Sequence, residues 1–181
     1  LLIDHQDSFV HTLAGYFRRT GAEVVTLRNG FDPKEYDRIA PNLIVMSPGP
    51  GNPKDFDTDS TIREALKRNL PIFGVCLGLQ ALIEYFGGEL GVLSYPMHGK
   101  PSDVSVTGGK LFSGIASPFV AGRYHSLHAL KVPDVFEVTA VADGQVVMGI
   151  EHRELPIAAV QLHPESILSA DGERGLAIIH N

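Results

Sequence analysis

The first half of the chain alternates short, wholly apolar runs with segments whose apolar residues recur at helical spacing, and this alternation limits the fold more than any other feature. Leu1 to Ile3 is apolar, after which Phe9, Val10, Leu13, Ala14 and Phe17 mark one helical face that stops at Gly21. Glu23 to Leu27 carries β-branched residues in alternation, Leu43 to Met46 is apolar throughout, and Ser60 to Asn69 sets Ile62, Ala65 and Leu66 on one face of a helix. Ile72 to Val75 is a further strand of the buried type. The helix after it bears Leu79, Ala81, Leu82, Ile83 and Phe86 and is ended by Gly87-Gly88. Strands that are apolar on both sides need cover on both sides, so the expected class is α/β with a parallel sheet between helical layers.

Beyond Glu89 the pattern changes to β-like stretches separated by turn residues: Val104 to Val106, Phe119 to Tyr124, Val135 to Val141, Val146 to Ile150 and Ile157 to Gln161. These are expected to extend the sheet as mostly antiparallel additions, with Gly108-Gly109-Lys110 as a hairpin turn. The 181 residues contain no repeat, low-complexity tract or linker, which predicts one domain over 1–181. The opening Leu1-Leu2-Ile3-Asp4 reads as a strand already under way, and Gly172 to Ile179 as a helix just beginning. Both suggest a piece excised from a longer, fused chain.

Charge narrows the partners. Twenty-one acidic residues against 15 basic give −6, and no run of like charges offers a patch for nucleic acid or a membrane surface. A single cysteine cannot form an internal disulfide, and no apolar run approaches the roughly 18 residues of a membrane span. A cytoplasmic setting is expected.

That cysteine lies in Gly74-Val75-Cys76-Leu77-Gly78, at the passage from buried strand to helix and with a glycine two residues away on either side. This is the pattern of a nucleophile elbow with sulfur in place of a hydroxyl. The sharp turn exposes the nucleophile, and the glycines remove Cβ atoms that would strike the adjoining strand and helix. A helix N-terminus also favours thiolate over thiol. Lone cysteines are commonly inert buried hydrophobes, but a structural cysteine has no need of glycines at those two offsets.

Two further segments fit the elbow. His163-Pro164-Glu165 follows the last apolar strand, and proline biases its neighbour towards extended geometry, where residues two apart face one side. A carboxylate that orients an imidazole is what a nucleophile's base requires. Ser47-Pro48-Gly49-Pro50-Gly51-Asn52-Pro53, also after a buried strand, reads as a proline-stiffened turn or as a rigid loop aiming a backbone N–H at a neighbouring oxyanion. It lacks the Gly-Lys-Ser/Thr of a phosphate loop. No metal is expected: His125 and His128 stand three apart without a third ligand nearby. Asp4, His5, Asp7 and His11 are read as capping and partner-facing residues.

In this order, Pro48-Gly49-Pro50-Gly51-Asn52-Pro53, Gly74-Val75-Cys76-Leu77-Gly78-Leu79-Gln80-Ala81 and Gln161-Leu162-His163-Pro164-Glu165-Ser166 resemble the class I glutamine amidotransferases over essentially the whole chain. Asp4 to Phe9, Met97-His98-Gly99-Lys100 and Arg123-Tyr124-His125-Ser126-Leu127 are similar to the branch serving chorismate-using enzymes, above all anthranilate synthase. The resemblance implies a flavodoxin-like three-layer fold and hydrolysis of L-glutamine by a Cys76-His163-Glu165 triad. It implies that the N–H groups of Leu77 and Gly51 hold the oxyanion, that Gln80 meets the amino-acid end of glutamine with backbone help from Ser126 and Leu127, and that Pro50 and Gly51 line the amide end. It also implies ammonia delivery to a chorismate-binding synthase, and no cofactor in this domain, Mg2+ being expected only in the synthase.

One departure is that Leu79 stands where many relatives carry histidine, a position read as packing. Other acceptors, as in aminodeoxychorismate or phenazine-pathway synthases, remain open. So do a cysteine hydrolase or isomerase on the same scaffold and a catalytically silent regulatory or binding module.

Overall fold

Each apolar run of the first half becomes a strand, and each helical segment becomes the crossover that joins it to the next. The computed structural model describes residues 1–170 and 173–181. In chain order it contains β1 (Leu2–Asp4), α1 (Val10–Arg19), β2 (Thr26–Arg28), α2 (Lys34–Ile39), β3 (Ile44–Met46), a 3-10 turn (Pro53–Phe56), α3 (Thr58–Lys67), β4 (Ile72–Val75) and α4 (Leu77–Tyr85). The second half adds β5 (Glu89–Val92), β6 (Lys100–Val106), β7 (Phe119–Arg123), β8 (Leu127–Lys131), β9 (Phe136–Ala142), β10 (Val146–His152), β11 (Ile157–Val160), a 3-10 turn (Ile167–Ser169) and α5 (Arg174–His180).

The main sheet has the order β2-β1-β3-β4-β11-β10-β9-β6-β7. From β2 to β11 every neighbour is parallel; from β11 to β7 every neighbour is antiparallel. Successive residues of the parallel strands feed opposite cores, as the period of two requires. Leu2, Val45, Phe73 and Val75 pack with Val10, Leu13, Phe17 of α1 and Ile178 of α5. Ile3, Ile44, Met46 and Ile72 pack with Ile62 of α3 and Leu79, Leu82 and Ile83 of α4 on the other side. This is the expected three-layer α/β/α arrangement. Helix ends fall where the glycines predict: Gly21 and Gly87 adopt left-handed backbone at φ +91° and +88°.

Three details differ from the sequence reading. Gly108-Gly109-Lys110 is not a tight hairpin turn. It lies within the long connection 107–118 between β6 and β7, where the N–H groups of Lys110 and Leu111 donate to the Glu151 carboxylate. Helix α2 has Tyr36 as its one buried residue, too little periodicity to stand out. Strands β5 and β8 form a separate two-stranded sheet beside α4. The expected C-terminal helix forms as α5, while Gly172 of that expectation lies outside the described residues. Among the described residues no helix is long and apolar enough to cross a membrane.

Candidate active site

Strands β4 and β11 are parallel neighbours in register Ile72↔Ile157 to Val75↔Val160, so the residues that leave their carboxyl ends emerge side by side. That is where an open α/β sheet places its ligands. Cys76 leaves β4, and Gln161, His163 and Glu165 follow β11. The sheet thus joins parts of the chain that are 85 residues apart, the separation of Gln161 and Cys76.

Cys76 has φ +54° and ψ −98°, a strained backbone for a residue with a side chain, and its N–H donates to the Val160 carbonyl at 2.7 Å. The flanking glycines make the bend possible by contact. A Cβ on Gly74 would lie 2.7 Å from the backbone carbon of Gly78, and one on Gly78 would lie 2.7 Å from the Met46 carbonyl oxygen. The elbow therefore needs both glycines, and α4 presses directly on the end of β3. The turn does not bring Cys76 into the open as the sequence suggests: the residue is buried, 5% exposed, beneath the neighbouring loops. Leu77 is the first residue of α4, so its N–H has no intrahelical acceptor.

His163 Nδ1 lies 2.8 Å from Glu165 Oε1, with both side chains buried. Its Nε2 is buried without a hydrogen-bond partner. Burial alone pulls the imidazole's pKa down, but the charge of the Cys76 sulfur and the Glu165 carboxylate outweigh it, and the pKa is held well above 6.5. The sulfur and the imidazole are thus close enough to interact, and both Cys76 and Glu165 favour the imidazolium.

Neighbouring side chains hold the ring in place. Phe9 and Tyr124 pack against it with centroids at 5.2 and 4.9 Å. The His163 N–H donates to the Gly122 carbonyl at 3.0 Å, and the Ser169 hydroxyl donates to the His163 carbonyl while accepting from the Gly122 N–H. The loop after β11 is thereby stitched to β7. Sequence reasoning gave Phe9, Tyr124 and Ser169 no role at the site, because their contacts to His163 and Gly122 join segments that are not neighbours in the sequence.

The proline-glycine loop after β3 reaches the same place. Gly49 approaches the elbow so closely that a Cβ there would lie 3.1 Å from Leu77 Cδ1 and 2.8 Å from the His5 carbonyl oxygen. Gly51 adopts φ +69°, beside Asp55, whose carboxylate accepts from the Asn52 N–H at 2.8 Å. Pro50 and Gly51 are exposed at the rim. His5 is not partner-facing: it is fully buried beneath this loop, where Nδ1 lies 3.2 Å from both the Ser47 carbonyl and hydroxyl oxygens. Burial lowers its pKa to about 4, so it is neutral there. Asp4 and Asp7 accept from the N–H groups of Gln6 and Phe9 in local turns rather than capping α1, whose N-cap Phe9 has no side-chain cap bond, and His11 is exposed.

Of the residues expected around glutamine, Gln80 is buried and donates from Nε2 to the Leu127 carbonyl at 3.2 Å and to Gln161 Oε1 at 3.3 Å. The Ser126 carbonyl accepts from the Leu93 N–H. Gln161 was missed as a site residue although it stands two before His163; the expected extended stretch is instead a bend after Val160 followed by a turn, closed by the Ser166 N–H on the His163 carbonyl at 3.2 Å. Gln161 Nε2 donates to Cys76 Sγ at 3.4 Å. Leu79 is buried in the core between α4 and the sheet, consistent with packing. His125 engages both ring nitrogens, with Arg123 Nε and the Leu127 carbonyl, and the described residues contain no cluster of three metal-ligating side chains.

Known proteins resemble the chain over its whole length. The chain is 55% identical to an anthranilate synthase of Azospirillum brasilense, covering 100% of this chain and 25% of that protein; the chain thus spans a quarter of that relative's length. It is 41% identical to anthranilate synthase component 2 of Methanocaldococcus jannaschii, covering 100% of this chain and 94% of that one. It is also 41% identical to aminodeoxychorismate synthase component 2 of Escherichia coli, covering 98% and 96%. The crystal structure of a putative GMP synthase component from Thermoplasma acidophilum superposes with a TM-score of 0.86 at 26% identity, over 98% of this chain and 90% of that one. The family model for glutamine amidotransferase class-I matches residues 1–179, and the chain belongs to that family.

Proposed function

We propose that the chain hydrolyses L-glutamine through Cys76, His163 and Glu165 and supplies the ammonia to a chorismate-using synthase, the acceptor product being anthranilate. The observation that carries this reading is the buried sulfur–imidazole–carboxylate row built on two adjacent parallel strands. The Cys76 thiolate attacks the side-chain amide carbon, and the carbonyl oxygen becomes an oxyanion held by the Leu77 and Gly51 N–H groups. His163, protonated at Nε2, gives its proton to the departing nitrogen as the C–N bond breaks, leaving a glutamyl thioester and ammonia. It then takes a proton from water as that water attacks the thioester, releasing glutamate and restoring the thiolate. Glu165 keeps Nδ1–H directed and steadies the imidazolium.

Anthranilate is favoured as acceptor product because the 55% match to an anthranilate synthase exceeds the 41% and 44% matches to aminodeoxychorismate synthase components. In the same reading Gln80, Ser126 and Leu127 meet the amino-acid end of glutamine, Pro50 and Gly51 line the amide end, and a reducing compartment keeps Cys76 a free thiol. The test supplies the chain with a chorismate-using synthase component, chorismate and either glutamine or ammonium. Glutamine-dependent anthranilate should form and be lost in Cys76→Ser, while the ammonium-dependent reaction continues. Glutamine-dependent product that survives Cys76→Ser removes the reading.

A further inference from the structure

The hydrogen bond to the sulfur runs back through Gln161 and Gln80 to the Leu127 carbonyl, which also accepts from His125 beside Arg123 of the edge strand β7, and the polarity towards the sulfur is set at that carbonyl. Arg123, fully buried, can only donate, and its Nε lies 3.1 Å from His125 Nε2. That ring nitrogen is therefore the acceptor, and His125 must carry its proton on Nδ1, which donates to the Leu127 carbonyl at 2.8 Å. Burial, with the Arg123 charge adding to it, lowers the His125 pKa to about 4 and keeps the ring in this neutral form. A backbone carbonyl can only accept, so Gln80 must turn its NH2 group towards Leu127. The second hydrogen of that NH2 meets Gln161 Oε1, and Gln161 is left with its own NH2 facing Cys76 Sγ.

We infer that Gln161 is a positioning residue for the nucleophile: its side-chain N–H, oriented through Gln80 by the Leu127 carbonyl, holds Cys76 Sγ and favours the thiolate. The inference rests on Cys76 being the nucleophile. Turning the Gln161 amide over would set its oxygen against the sulfur and its NH2 against the NH2 of Gln80, losing both contacts at once. Backbone geometry fixes the two ends of this short bridge. The Gln80 N–H donates to the Cys76 carbonyl, one turn along α4, and the Gln161 N–H donates to the Met148 carbonyl of β10. The ionisable groups around this bridge are His163 with Glu165 behind it, and His125, Arg123 and His128 at its far end. Changing Gln161 leaves all five in place.

The experiment follows alkylation of Cys76 by iodoacetamide against pH, read by mass spectrometry on the folded full chain. Gln161→Met keeps the length and removes the donor; Gln161→Glu replaces the donor with an anion. The pH of half-maximal alkylation rate should rise by about one unit in Gln161→Met and further in Gln161→Glu, so that alkylation on the acid side slows about tenfold. A thermal melt identifies any variant that fails to fold. For that case the wild-type chain is titrated by NMR, where the Gln161 side-chain amide protons should shift with Cys76 ionisation and lose that shift on alkylation. Folded variants with an unmoved midpoint, or amide protons indifferent to the sulfur, overturn the inference and leave the glutaminase reading standing. A wild-type Cys76 no more reactive than a free thiol, with glutaminase activity surviving in Cys76→Ser, overturns that reading instead.

Discussion

Gly175, in the first turn of α5, lies against the carbonyl oxygen of Pro164 so closely that no Cβ fits between them. The helix that closes one face of the sheet thus bears directly on the peptide between His163 and Glu165. Replacing glycine by alanine inside a helix ordinarily stabilises it by about 1 kcal/mol. Here the added methyl must displace backbone, which costs about 1–3 kcal/mol, and the sign reverses. Gly175→Ala should lower stability in urea titration and cut kcat for glutamine at least about tenfold with little change in KM. A variant more stable than wild type and fully active would show that the contact does not matter.

The raised pKa of His163 gives a second expectation. Above pH 6.5 the folded chain retains a proton that unfolded His163 releases, so this contribution to stability is complete below 6.5 and is lost as pH rises through the raised folded value. NMR titration should place the His163 pKa above 6.5 in wild type and lower in both Cys76→Ser and Glu165→Gln. Unchanged titration in both variants would remove the electrostatic coupling from the site.

The elbow glycines supply a third. Gly78→Ala drives a methyl into the Met46 carbonyl, with the Met46 Cβ at 3.0 Å, and neither is the free end of a flexible chain. A loss of about 2–3 kcal/mol is expected by chemical denaturation, together with slowed alkylation of Cys76. Gly15→Ala, in α1 with open space around it, serves as the control and should be neutral or stabilising.

Acid stability is the fourth. His5 and His125 have folded pKa values of about 4 against 6.5, so the unfolded chain binds protons that the folded chain refuses. Stability should therefore fall as pH drops from 6.5 towards 4, each imidazole contributing a slope of at most about 1.4 kcal/mol per pH unit. His5→Gln should flatten that slope in urea titrations across the interval. A slope identical to wild type would mean that His5 does not contribute to it.

What could be read from sequence was whatever is local. Gly74, Cys76 and Gly78 announce a bend because the steric demand falls on neighbours within the same few residues. His163 and Glu165 announce a pair because they stand two apart, although the backbone between them is a turn closed by the Ser166 N–H rather than the extended stretch that Pro164 suggests. Apolar runs such as Ile44 to Met46 announce burial on both faces. Features that arise from contacts between distant segments left no such mark. His5 has the spelling of a surface residue beside Asp4 and Gln6, and only the approach of Gly49 shows that it is roofed over. Gln161 looks like the polar end of a strand until Gln80 and Cys76 arrive from α4. Tyr36 alone secures α2, so no periodicity betrays that helix.

The adjacency of β4 and β11 has an evolutionary consequence. Because nucleophile and base hang from one pair of laterally bonded strands, the excursion between them is geometrically spare. The exposed Tyr95 and the long 107–118 connection can be lengthened, trimmed or recharged with no change in the spacing of Cys76 and His163. Selection can therefore remodel the rim to suit a new acceptor enzyme while the hydrolytic centre passes unaltered from one lineage to the next.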